Sequence, residues 1–91
     1  MPAGVEEVKS EIISQFDTTD LIEHFDVDSM STDIGFTAEG RRFVVRVSSE
    51  FDEDYGAGVH ADLEQLGSIL RASKDGKATV RRSGVSAGIV Y

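Results

Sequence analysis

The stretch "IGFTAEGRRFVVRV", residues 34–47, constrains the fold more tightly than any other part of the chain. Ile34, Phe36 and Ala38 alternate with small or polar residues before Glu39-Gly40, and Phe43, Val45 and Val47 alternate after it. A period of two marks a strand with one buried face. A residue–glycine pair between two such runs marks a tight hairpin turn, because glycine accepts positive φ without steric cost. The stretch therefore reads as two antiparallel strands with one apolar face. Arg42, Val44, Arg46 and Ser48 point away from the core.

An apolar sheet face must be covered, and the flanking sequence supplies helices with matching stripes. In "GVEEVKSEIISQF", Val5, Val8, Ile12 and Phe16 recur at steps of three and four, with Ile13 beside them. This spacing predicts an amphipathic helix, and Glu6 and Glu7 sit where the positive end of the helix dipole favours them. In "GVHADLEQLGSILRAS", Val59, Leu63, Leu66 and Leu70 predict a second helix. Gly67 weakens it by about 1 kcal/mol relative to alanine. A rival reading ends that helix at Gly67 and makes "SILRA" a strand that turns through Asp75-Gly76.

Two segments complete the pattern. Phe25 and Val27 alternate with Asp26 and Asp28, which favours a short strand over 22–28, although Leu21, Ile22 and Phe25 also fit one face of a short helix. "KATVRR" and "VSAGIVY" read as a last hairpin around Ser83-Gly84. The order is helix, strand, hairpin, helix, hairpin. It predicts an α+β fold, with two helices on one face of a mostly antiparallel sheet of four or five strands. Ninety-one residues suit a single small domain spanning 1–91, which a longer natural chain could contain. Without cysteine, neither a disulfide framework nor a thiolate zinc site can supplement the core.

Most chemical signatures fail on spacing. "EFDEDYGAGVHA", residues 50–61, holds the densest acid cluster. No register of it puts acids at positions 1, 3 and 5, glycine at 6 and glutamate at 12, as an EF-hand requires. Gly56, Gly58 and Ala61 match G-x-G-x-x-A, but "SSEFDEDY" separates them from the preceding strand, and its carboxylates would repel a pyrophosphate. His60 and Glu64 share a helix face, and His24 sits among Glu23, Asp26 and Asp28; each pairing is short of a full ligand set. No serine lies in a strand–turn–helix nucleophile context. The expectation is a non-enzyme with no cofactor, no metal and no catalytic residue. A small ligand or metal site near residues 52–64 is a lesser alternative.

Charge narrows the choice of partner. Seventeen acids oppose nine bases, for a net charge of −8. Residues 1–38 carry nine acids and one base, and residues 71–91 carry five bases and one acid. Overall acidity disfavours non-specific binding to nucleic acid or anionic membranes. The chain lacks an apolar run long enough to span a bilayer, and its start does not read as a secretory signal, so a soluble cytoplasmic protein is expected.

The leading expectation is a protein-interaction or self-association module that binds a protein partner or forms a homodimer. The rival is a nucleic-acid module with a basic sheet face. The candidate surface comprises Arg42, Arg46, Arg81, Arg82, Ile89 and Tyr91. The last two belong to "VSAGIVY", an uncharged segment without proline. An unguarded edge of that kind recruits other chains, so it is expected inside the sheet, against a second copy, or beneath chain beyond Tyr91.

Nine of the acids are Asp and only three of the bases are Lys, a balance that suits a surface kept soluble at high salt. Screening shortens charge repulsion to about 3 Å at 1 M ionic strength. The melting midpoint is therefore expected to rise between low salt and molar potassium chloride. A flat or falling midpoint in calorimetric scans would contradict salt adaptation.

Overall fold

The Glu39-Gly40 turn organises the sheet. Glu39 has φ 53° and Gly40 φ 76°, so both central residues are left-handed. That is the mirror-image turn whose twist matches the strands it joins. It connects β2 (Ser31–Ala38) to β3 (Arg41–Ser48), with Phe36 opposite Phe43 and Ile34 opposite Val45, as the alternation predicts. The computed structural model describes residues 3–18, 20–48, 63–81 and 84–88.

Around this hairpin lie α1 (Ala3–Gln15), β1 (Ile22–Asp26), α2 (Leu66–Ala72), β4 (Lys77–Arg81) and β5 (Gly84–Ala87). The five strands lie in sequence order, β1-β2-β3-β4-β5. All neighbours are antiparallel except β3 and β4, which run parallel, with α2 between them in the chain. Among the described residues, two helices and a mostly antiparallel five-stranded sheet form an α+β fold.

Every apolar residue that alternates inward on the central strands is buried: Ile34, Phe36, Ala38, Phe43, Val45, Val47, Ala78 and Val80. The stripes of Val5, Val8, Ile12 and Phe16 and of Leu66 and Leu70 cover them. At the middle, the rings of Phe16, Phe36 and Phe43 pack with centroids 5.1–5.3 Å apart. Aromatic contacts of this kind add about 0.5–1.5 kcal/mol beyond their buried area.

Several boundaries differ from expectation. β1 ends at Asp26, and residues 27–30 form its turn into β2. The second helix opens as a 3₁₀ turn, Leu63–Gln65, while Val59 lies outside the described residues. It continues through Gly67 to Ala72, so "SILRA" is helical and the rival strand is overturned. Gly84 is the first residue of β5, opposite Arg81, and not part of the turn.

The last strand also departs from expectation. β5 lies at the end of the described sheet and not inside it. Gly88, with φ 82°, bends the chain after Ala87. Its N–H donates to the Lys77 carbonyl (2.8 Å), and its carbonyl accepts from the Thr79 hydroxyl (2.7 Å). A four-residue strand closed onto its neighbour is itself a guard against edge pairing.

Gly67 is explained by helix–helix contact. Its N–H donates to Gln15 Oε1 (2.6 Å), while Gln15 Nε2 donates to the Leu63 carbonyl (2.9 Å) and to Glu11 Oε2 (2.6 Å). Gln15 thus satisfies an N–H in the first turn of α2 that no local side chain caps. A Cβ at position 67 would clash with Gln15 Oε1 and come within 3.0 Å of Arg71 Nη1. We expect Gly67→Ala to destabilise the protein by about 1–2 kcal/mol in urea unfolding, since the lost hydrogen bonds outweigh the gain in helix propensity. In a Gln15→Ala background the same substitution should be neutral or stabilising, and an equal cost in both backgrounds would refute the helix-contact explanation.

Candidate functional site

Strand alternation divides the side chains between two faces. Both helices cover one. The other carries Ile22, His24 and Asp26 of β1, Asp33 and Thr37 of β2, Arg42, Val44 and Arg46 of β3, and Lys77, Thr79 and Arg81 of β4. Arg42 and Arg46 face away from the apolar core, as the alternation predicts, but they differ in character.

Arg46 is buried. Its Nε donates to Asp33 Oδ1 (2.7 Å) and its Nη2 to Asp33 Oδ2 (2.9 Å), a two-pronged pair between facing strands. Nη2 also reaches Asp26 Oδ2 on β1 (3.4 Å). The planar guanidinium fork matches a carboxylate, so one side chain ties β3 to β2 and β1. Asp26 is braced in turn by the Ser29 hydroxyl (2.9 Å) and the Asp28 N–H (3.2 Å). The Ser29 hydrogen bond, then Asp28 and the charge of Arg46, hold the Asp26 carboxyl below its ordinary range, against a smaller opposing push from desolvation. Arg46 is therefore an internal cross-link, which corrects its assignment to an exposed basic surface.

Arg42 is exposed and leans over Gly35, where a Cβ would lie 3.0 Å from Arg42 Nη2. Arg81 lies on the same face toward the far end of β4, and neither makes an ion pair among the described residues. Arg82, Ile89 and Tyr91 lie outside the described residues, as do Asp52–His60. Among the described residues, no three His, Asp or Glu side chains converge as a metal-ligand set. No described helix is long and apolar enough to cross a membrane.

One surface escaped the sequence reading. Among the described residues, five large apolar side chains are exposed, and four fall on β1 and its turn: Ile22 (61%), Phe25 (50%), Val27 (71%) and Met30 (54%). β1 is an end strand of the described sheet. The fifth, Ile13, is one helical turn beyond Lys9 on α1. The Lys9–Glu23 ion pair sets that helix face beside β1. Met30 also has φ 53°, a conformation uncommon for any residue but glycine, asparagine or aspartate. The available signal was the surplus of apolar residues in 21–30, more than a five-residue strand can bury on one face.

No protein-family model matches the chain, and neither curated proteins nor solved structures show a match.

Replacing Asp33 by alanine removes both short bonds to a buried guanidinium. The expected loss is about 2–4 kcal/mol in urea unfolding, near the range for breaking a buried ion pair. Arg42→Ala should change stability by less than about 0.5 kcal/mol, as exposed substitutions do. Equal small effects at the two positions would show that Arg46 is not the cross-link described.

Proposed function

We propose that the chain is a non-catalytic protein-interaction or self-association module and that β1 with its turn is its binding edge. The observation that carries this reading is the concentration of exposed apolar side chains at Ile22, Phe25, Val27 and Met30 on an end strand. An apolar cluster rimmed by charge is the usual mark of a protein-contact surface, and Phe and Met are enriched at such contacts. Met30 strengthens the argument. Glycine would adopt φ 53° with less strain, and more than half of the methionine's surface stays exposed. Strain retained at an exposed apolar residue points to a role outside the fold.

The nucleic-acid alternative through Arg42, Arg46, Arg81 and Arg82 is weaker. Arg46 is engaged by Asp33 and Asp26, and the described part of that face presents no aromatic platform for base stacking. The test places a photo-crosslinking residue at Val27 or at Arg42 in the cells that make the protein. Protein adducts at 27 and none at 42 are expected. Val27→Lys with Met30→Lys should leave stability within about 1 kcal/mol and abolish adducts from a crosslinker placed at Phe25. Nucleic-acid adducts at 42, no protein adduct at 27, or unfolding of the double variant would each overturn the reading.

A further inference from the structure

We propose that β1 pairs antiparallel with β1 of a second copy, in the register that sets Phe25 opposite the partner's Phe25, and so joins two sheets edge to edge. This rests on the reading of β1 as the binding edge and names the partner.

Geometry limits the registers. In a continuous antiparallel sheet the two copies are related by a two-fold axis normal to the sheet, so the same face carries the helices in both. Opposed residues then share a face, and the axis must pass through a residue position. Of the five positions, an axis at Ile22 would set the other four strand residues opposite chain that precedes the strand, and the charges on β1 decide among the remaining four. An axis at Glu23 opposes two glutamates, and an axis at Asp26 opposes two aspartates; like charges directly opposite are destabilising. An axis at His24 sets Phe25 against the partner's Glu23 and Ile22 against the partner's Asp26, so both apolar residues meet carboxylates. An axis at Phe25 sets ring against ring and His24 against the partner's Asp26.

The Phe25 register is also the one the surroundings suit. His24 and Asp26 lie on the face away from the helices, and two copies give an alternating square of imidazole and carboxylate there. Asp26 already sits beside Arg46, so the square continues into a positive group on each side. On the helix-bearing face, this register sets the half-exposed Phe25 rings of the two copies against each other. Backbone N–H and C=O groups on the outer side of β1, which no other described strand pairs, gain partners.

The chain has no cysteine, so a single introduced cysteine reports the register directly. Facing residues have Cα atoms about 4.5–5.5 Å apart, within the roughly 4.4–6.8 Å that a disulfide spans. Position 24 is offset from its counterpart by two residues, about 6.6 Å along the strand in addition to about 5 Å across, beyond that reach. Sedimentation equilibrium in about 1 M potassium chloride screens the mutual repulsion of two chains of charge −8. A mass of twice the chain is expected there. Phe25→Glu should raise the dissociation constant at least tenfold while the thermal midpoint moves little. Under mild oxidation Phe25→Cys should form covalent dimer rapidly, and His24→Cys, also at an exposed position, should not.

Preferential cross-linking at 24 would overturn the register. A wild-type monomer at the highest soluble concentration, with no preferential cross-linking at 25, would overturn self-pairing. If Val27 photo-adducts then form with other chains, the binding-edge reading survives this failure; if they are also missing, both fail.

Discussion

The contact of Phe16 with Phe36 and Phe43 holds the structure in register. The three rings come from the residue that follows α1 and from facing positions of the β2–β3 hairpin, with centroids 5.1–5.3 Å apart. A one-residue slip of either strand would turn its whole apolar set toward solvent. The rings therefore fix which hairpin face is core, where α1 ends, and which side is left for Arg42 and Arg46. β4 extends the same face by aligning Ala78 with Val45 and Val80 with Val47.

A polar lattice locks the helices onto that core. α2 is only seven residues long, too short to be stable alone. Gln15 binds its first turn, and Arg41 of β3 donates to the carbonyls of Ser73 (2.8 Å) and Arg71 (3.3 Å) at its other end. Arg71 returns the connection, donating to the last carbonyl of α1 at Gln15 (2.8 Å) and gripping Glu39 in the hairpin turn. Its guanidinium lies 4.4 Å from the centroid of Phe16. Tertiary neighbours thus satisfy terminal backbone groups of both helices, beside the local cap that the Ser73 N–H gives the carbonyls of Ile69 and Leu70. This also accounts for the glycine in α2: at position 67 a Cβ would collide with the Gln15 carboxamide that binds the first turn.

The two kinds of unusual residue on the sheet have opposite meanings. Arg46 is a charge placed inside and neutralised by Asp33 and Asp26, which ties three strands together. Phe25, Val27 and Met30 are apolar residues placed outside, where the fold makes little use of them. The first is a structural device and carries no ligand argument. The second leaves apolar surface at the β1 edge that the fold itself does not bury.

The local periodicities of the sequence determined the element types. Steps of three and four in Val5–Phe16 and alternation through Ile34–Val47 require particular faces to be buried, and Glu39-Gly40 supplies the turn geometry by itself. These signals are short-range, so they survive in one dimension. The strand order, the parallel β3–β4 pair and the partner of each charge were decided only in three dimensions, because they depend on which faces meet. Arg42 and Arg46 are indistinguishable by pattern, yet one is exposed and the other buried, since only Arg46 lies opposite Asp33. Phe25 illustrates the converse: its alternation identified a strand, but only the packed structure shows that this strand ends the described sheet and that half of the ring stays exposed.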